Sequence, residues 1–326
     1  MDLKRTKTRV VGVDISNELT TYAVVDIRGN ILASDKFLTT DYDNVSDFVS
    51  SLAEHIVMLV EANGGYETIR SVGVSAPSAS SRTGSIVNAA NLPWKGVIPL
   101  SAMLRDRLGL AVAVANDAHV SALGESTYGC AHGMKDFIVV SLGVGLGSCF
   151  FSSGQEHLGE YGFAGEFGHT CVVEGGRQCG CGKQGCLEAY VAAKGIIKTA
   201  LEMMGESDKP SAMRQLDKLS PRTIAECCNQ GDELAIEVFR RTGTILGIGL
   251  ANYASLVNPE AIIFTGGISK AGKWLLDPVY DAFERNVFRN MRGQVKLIVS
   301  ELNDRERDVL GASALAWGVP EYSLFK

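Results

Sequence analysis

The sequence predicts an α/β protein of two similar halves with a cleft between them. Three observations lead there. Short apolar runs bounded by turn residues alternate with segments of helical spacing, the pattern of strands feeding helices. A strand-turn-strand start appears at Arg9 and again at Phe137. A chain of 326 residues is also long enough to bury two cores.

The elements follow in order. Residues 9–14 (R-V-V-G-V-D) read as a buried strand. Residues 20–27 are a second, and Arg28-Gly29-Asn30 turns the chain into a third at Ile31–Leu38, completing a β-meander. Val45–Ala62 has helical spacing, with Phe48, Leu52, Ile56, Leu59 and Val60 on one face. Residues 71–75 form a strand ending at Ala76-Pro77, 101–108 a short helix, and Ala111–Ala115 a strand. Asn116-Asp117 closes that strand, ahead of a helix that includes 118–128.

The second cycle begins with a strand at Phe137–Leu142, a turn over 143–147 and a returning strand at 148–152. Gln155-Glu156 then turns towards Glu166. Helices are expected at 187–198, 223–229, 232–257, 277–288 and 309–317, strands at 261–264 and 295–299, and a mobile polar loop at 207–219. The expected domains are 1–117 with a C-terminal helix at about 308–326, and 118–307.

Hydrophobic content of 46% and charged content of 21% suit a soluble globular protein, and a net charge of −6 argues against a non-specific nucleic-acid surface. Lys4, Arg5, Lys7 and Arg9 read as a solvated lead-in. No apolar run reaches the ~20 residues of a membrane helix. The apolar run from Val10 is short and ends at Asp14, so no secretory segment is expected. Eight cysteines without an export signal point to the reducing cytoplasm.

The densest chemistry lies between Gly165 and Glu188. His169, Cys179, Cys181 and Cys186 make a complete tetrahedral Zn²⁺ set, three thiolates and an imidazole, with glycines that allow tight bends. Such a closed site is structural. A Cys179–Cys181 redox pair and a disulfide framework fit the spacing and the compartment less well. Cys130, Cys149, Cys171, Cys227 and Cys228 read as buried or half-buried thiols.

Glu166 and Glu188 flank the cluster, and carboxylates of this kind grip neighbouring sugar hydroxyls by charge-assisted hydrogen bonds. The His169 nitrogen not on the metal can bond a ligand as well. Glu188 can equally serve as a favourable charge at a helix N-terminus. Asp117, at a strand end, can accept a proton from a hydroxyl, with Asn116 orienting it; the competing role is a helix cap. The turn L-G-V-G-L-G-S leaves amides for phosphate at Gly143, Gly145 and Gly147, and F-T-G-G-I-S allows close approach to a nucleoside at Gly266 and Gly267. There is no G-x-x-x-x-G-K-[ST] sequence, which excludes a P-loop.

The series V-G-V-D (11–14), N-L-P-W (91–94), A-N-D-A (115–118), L-G-V-G-L-G (142–147), G-E-F-G-H (165–169), C-G-C-G-K-Q-G-C-L-E (179–188) and T-G-G-I-S (265–269) resembles the ROK family of repressors and sugar kinases. The resemblance spans nearly the whole chain. It implies the two-domain actin/Hsp70/sugar-kinase (ribonuclease H-like) fold and ATP-dependent phosphorylation of a hexose. Asp117 matches the family's catalytic base. Asn116, Glu166, His169 and Glu188 match its sugar contacts, and Asn91 lies where another is often found. His169, Cys179, Cys181 and Cys186 match its zinc ligands. Asp14 and Gly143–Gly147 match neighbours of phosphate and Mg²⁺, and Gly266 and Gly267 its adenosine contact. A cytoplasmic homodimer is the family expectation.

Two motifs depart from the family. Where it reads D-x-G-G-T-K, this chain has Asp14-Ile15-Ser16-Asn17-Glu18-Leu19, and Val144 replaces a threonine in its G-T-G. A lost charged hydrogen bond costs ~1.5–3 kcal/mol, roughly ten- to a hundredfold in affinity. The expectation is therefore a glucose kinase, with an N-acetylmannosamine or N-acetylglucosamine kinase, or a non-catalytic sugar sensor, as the alternatives. The repressors' DNA-binding helices precede the first strand, and only eight residues do so here, so no nucleic-acid partner is expected.

Overall fold

The computed structural model describes residues 7–89, 92–160, 162–303 and 306–319. The chain divides into two compact units, one running to His132 and resuming at Glu301, the other spanning Gly133–Ser300.

The first unit contains β1 (Arg9–Ile15), β2 (Leu19–Asp26), β3 (Ile31–Leu38), α1 (Val45–Ala62), β4 (Ile69–Ser75), β5 (Ala79–Ser80), β6 (Ser85–Val87), β7 (Val97–Ile98), α2 (Leu100–Leu108), β8 (Ala111–Ala115) and α3 (Asp117–Tyr128). Its main sheet has the order β3-β2-β1-β4-β8, antiparallel through the meander and parallel from β1 to β8. A central strand covered on both faces needs a nearly continuous apolar run, which V-V-G-V supplies. Val11 and Val13 pack with Phe48, Leu52, Ile56 and Val60 of α1. Val10 points the other way, to Val309 and Leu310 of the C-terminal helix Arg307–Gly318. That helix lies so close that a Cβ on Gly73 would stand 1.9 Å from the Ala312 carbonyl oxygen, and one on Gly12 2.2 Å from that of Val309. Glycine at both strand positions is therefore a packing requirement.

The second unit contains β9 (Phe137–Leu142), β10 (Leu146–Ser152), β11 (Gln155–Glu156), α4 (Glu188–Val191), α5 (Ala193–Glu206), α6 (Pro221–Asn229), α7 (Glu233–Val257), β12 (Ala261–Thr265), α8 (Lys273–Asn286) and β13 (Lys296–Val299). The sheet order β11-β10-β9-β12-β13 repeats that of the first unit, with the same two antiparallel and two parallel pairings. Its core gathers Ile138, Val140, Ile262 and Phe264 from the strands and Val238, Leu246 and Phe283 from the helices.

Several expectations are corrected. The compact first unit runs past residue 117 to take in α3, Gly124 packing on Gly311 of the C-terminal helix, and the chain re-enters the unit at Glu301, ahead of that helix at Arg307. The single helix expected over 187–198 is two helices. Ala192 is extended between them (ψ 171°), and the Ala193 amide bonds the Gly143 carbonyl at 3.0 Å. Helix α8 starts at Lys273 rather than 277 and carries Pro278 inside it. β10 begins at Leu146, so the turn before it is shorter than expected. The segment 207–219 contains a 3-10 turn, Ala212–Gln215, where the Ser211 hydroxyl and the Ala212 amide both donate to Asp232 at 2.7 Å. The small sheet β5-β6-β7 went unseen because strands of two or three residues carry no period to detect. Among the described residues no helix is long and apolar enough to cross a membrane.

Candidate active site and metal centre

In the first unit, three parallel strands end side by side. Asp14 is paired in register with Ser75, and Ser75 with Ala115, so Asp14, Ser75 and Asn116-Asp117 share the carboxyl edge of the sheet. Ligands of open α/β sheets gather at such an edge. Asn116 is the N-cap of α3, its side chain accepting from the Ala118 amide at 2.9 Å. Asp117 is thus the first helical residue, and its exposed carboxylate also accepts from that amide, at 2.8 Å. The capping role that competed for Asp117 falls mainly to Asn116.

Asp14 has an unusual acidity. Burial, and then the negative charges of Asp308 and Asp117, push its carboxyl up from 3.8 to about 7, against the opposing pull of Ser75 and Arg307. A carboxyl whose folded pKa exceeds its unfolded value holds a proton in the folded state between those two values. Stability therefore falls as pH rises through that window, and the cost is full above it. Asp14→Asn removes the cost. Thermal melts are expected to show a gain of a few degrees over the parent at about pH 8 and a much smaller one at about pH 5. An equal gain at both would contradict the burial argument.

After Asp14 the chain makes a tight two-residue turn rather than a wide loop. The Ser16 amide and hydroxyl bond the Leu19 carbonyl at 2.9 and 2.8 Å, leaving Asn17 and Glu18 exposed. Asn91 lies outside the described residues.

In the second unit, Glu166, His169 and the cysteines come together. A 3-10 turn, Phe167–His169, is anchored by buried Phe167, whose ring sits 4.6 Å from that of Tyr253. The chain returns through a narrow ribbon pairing Cys171 with Cys186 and Gln178 with Gln184. Inside it the Cys179 amide bonds the Lys183 carbonyl at 2.8 Å. Gly185 adopts φ +76°, and a Cβ there would meet the Val173 carbonyl oxygen at 1.8 Å, so no other residue fits this bend. Arg177 holds the ribbon to α4 and α5: it donates to the Gly195 carbonyl at 2.9 Å, pairs with Glu202 and lies over the Tyr190 ring at 4.8 Å.

The four donor atoms of His169, Cys179, Cys181 and Cys186 all lie within 4.8 Å of one another. Zn–S bonds of about 2.3 Å set a sulfur–sulfur edge of about 3.8 Å in a tetrahedron. The Cys181–Cys186 sulfurs are 3.6 Å apart, and Cys179 Sγ is 3.7 Å from His169 Nδ1. The donor set therefore fits Zn²⁺ in kind, number and spacing. Burial and then the neighbouring sulfurs push the Cys186 thiol up to about 12, a crowding that a divalent cation would relieve. Cys171, expected to be buried or half-buried, is exposed and stands outside the four.

His169 Nε2 is 3.9 Å from Glu166 Oε2, so the imidazole faces the sulfurs with one nitrogen and a carboxylate with the other. Glu188 opens α4; its Oε2 accepts from the Leu146 amide at 3.0 Å and its Oε1 lies 3.7 Å from Cys179 Sγ. It thus ties the glycine turn to the sulfurs, a tethering role the sequence did not reveal.

Gly143 and Gly266 follow β9 and β12, whose ends are in register at Ser141 and Thr265. Gly266 has φ +85° and a Cβ there would stand 2.4 Å from the Leu142 carbonyl oxygen. A cavity of about 620 Å³ opens beside them, lined by Gly143 and Gly267 and by Arg222, Glu226 and Asn229 of α6. Those α6 residues were missed, since Arg, Glu and Asn on a surface helix carry no spacing signature. Val144, between the glycines, is 77% exposed.

Residues 10–318 match the ROK family. The chain belongs to the ROK family. A glucokinase of Streptomyces coelicolor is 33% identical over 315 residues, covering 94% of this chain and 96% of the relative. The structure of a ROK family glucokinase from Streptomyces griseus in complex with glucose and AMPPNP is 31% identical, covers 95% of this chain and 99% of its own, and superposes with a TM-score of 0.75. ROK members are not all named as enzymes: a xylose repressor of Caldicellulosiruptor bescii is 29% identical over 78% of this chain and 65% of its own length. The expected actin/Hsp70-like sugar-kinase fold is the fold observed, seen in the two sheets of identical order.

Proposed function

We propose that the protein is an ATP-dependent hexose kinase, with glucose its first substrate. The observation that carries this reading is the carboxyl edge of the first sheet, where Asp117 stands exposed beside Asn116, the N-cap of α3. Full-length similarity to glucokinases of two Streptomyces species supports it. Phosphoryl transfer needs positioning and charge stabilisation more than covalent chemistry. Asp117 would take the proton of the attacking sugar hydroxyl, and Asn116 would orient it. Glu166 and His169 would grip ring hydroxyls, with Glu188 and Asn91 assisting. The cavity at Gly143 and Gly267 would hold the nucleoside. Asp14 would face phosphate and Mg²⁺, which supplies charge neutralisation when bound. Zn²⁺ on His169, Cys179, Cys181 and Cys186 would be structural.

The test is ADP release with ATP·Mg²⁺ against glucose, mannose, fructose, allose, N-acetylglucosamine and N-acetylmannosamine. Turnover on glucose above the others supports the assignment. Preference for an N-acetylhexosamine moves the substrate and keeps the chemistry. A second reading, a non-catalytic sugar sensor, draws on the tight Ser16–Leu19 turn with exposed Glu18 and on the repressor relatives. It requires sugar binding with no turnover on any of the six.

A further inference from the structure

The cavity beside Gly143 and Gly267 carries a donor and an acceptor fixed one turn apart on α6. Asn229 and Glu226 both line it. The Trp274 indole N–H donates to Asn229 Oδ1 at 2.7 Å. An indole nitrogen can only donate, so this bond selects the amide oxygen and settles which way the amide is turned. Asn229 is left with its Nδ2, which carries two donors and no acceptor. The indole is itself held, with Lys273 Nζ 4.6 Å from its ring centre. Glu226 is oriented in the same way: Arg222 Nε donates to its Oε1 at 3.0 Å, leaving Oε2 as an acceptor. Residues three apart on a helix share a face, so donor and acceptor are neighbours.

Resting on the nucleotide reading of this cavity, we propose that Asn229 and Glu226 select the base of the phosphoryl donor, and select adenine. The Watson–Crick edge of adenine offers an acceptor at N1 and a donor at its exocyclic N6. Asn229 Nδ2 would donate to N1, and Glu226 would accept from N6. Hypoxanthine in the same seat has both roles reversed: its O6 meets a carboxylate and its N1–H meets an N–H donor. A site built to hydrogen-bond one pattern rejects the other because both groups are left mispaired. Trp274 is then a positioning residue, acting through the Asn229 amide.

The experiment compares ATP with ITP as phosphoryl donors, with saturating sugar and Mg²⁺, in the parent, Asn229→Asp and Trp274→Phe. The parent is expected to favour ATP in kcat/KM by at least about tenfold. Asn229→Asp keeps an oxygen for Trp274 and replaces the donor by an acceptor. It should lower kcat/KM for ATP and raise it for ITP, narrowing or inverting the ratio. Trp274→Phe should narrow the ratio less, by freeing the amide to turn. Melting temperatures near the parent's and unchanged sugar affinity certify that the variants are folded. An ATP:ITP ratio the same in the parent and Asn229→Asp overturns the base-selection proposal and leaves the cavity's nucleotide reading intact. A parent that neither binds nor consumes either nucleotide overturns both.

Discussion

Asp117→Asn is expected to lower kcat by about 10²–10⁴, the range a positioned general base contributes, with sugar and nucleotide affinities little changed. The reasoning rests on where the carboxylate stands. It is the first residue of α3, separated from β8 only by Asn116, and it is exposed. The exchange is nearly isosteric, and the amide oxygen can still accept from the Ala118 amide that Asp117 Oδ1 meets at 2.8 Å. The helix cap is untouched because Asn116 supplies it. What the variant loses is the capacity to take a proton. Removal of an interaction used only in the transition state lowers kcat and kcat/KM together. Calorimetric titration with sugar, beside steady-state kinetics, makes the distinction. A variant retaining more than about a tenth of parental kcat would displace Asp117 as the base; one that has lost sugar affinity instead would recast it as a binding residue.

Much of the fold was legible because its signals are local. V-V-G-V-D names a buried central strand, and the bounds of Val45–Ala62 and Phe137–Leu142 follow from amphipathic spacing and from a largely apolar run broken only at Ser141. The four metal donors lie within eighteen residues, so their convergence could be read from spacing. What depends on distant residues was not legible. The raised pKa of Asp14 comes from burial and from Asp308, far along the chain. The tether from Glu188 to the Leu146 amide spans 42 residues, and Trp274 reaches Asn229 across 45. The start of α8 was misplaced because Pro278 suggests a helix beginning, whereas here it sits inside. The need for glycine at 12 and 73 appears only once the C-terminal helix lies on the two strands.

If His169, Cys179, Cys181 and Cys186 hold Zn²⁺ as proposed, its loss should weaken sugar binding selectively. Cys186 is buried, with its sulfur 3.6 Å from that of Cys181, and Cys186→Ser removes one of four donors. Chelation of the parent removes the metal itself. In either case the His169 ring is no longer fixed from its Nδ1 side, and the Nε2 that faces Glu166 at 3.9 Å loses its orientation. With about 1.5–3 kcal/mol for a hydrogen bond to a charged group, sugar affinity is expected to fall roughly ten- to a hundredfold. The cavity proposed for the nucleotide should be affected less, because Gly143 and Gly267 stand at the ends of buried strands and Glu226 and Asn229 on α6, none of them in the ribbon. Cys171→Ser is the matched control: the same chemistry, one strand across from Cys186, at an exposed sulfur outside the four. Zinc content, glucose titration and ATP titration on the three proteins separate the cases. Parallel loss of both ligands would mean that the centre holds up the whole second unit; full sugar affinity in metal-free protein would remove His169 and Glu166 from the sugar site.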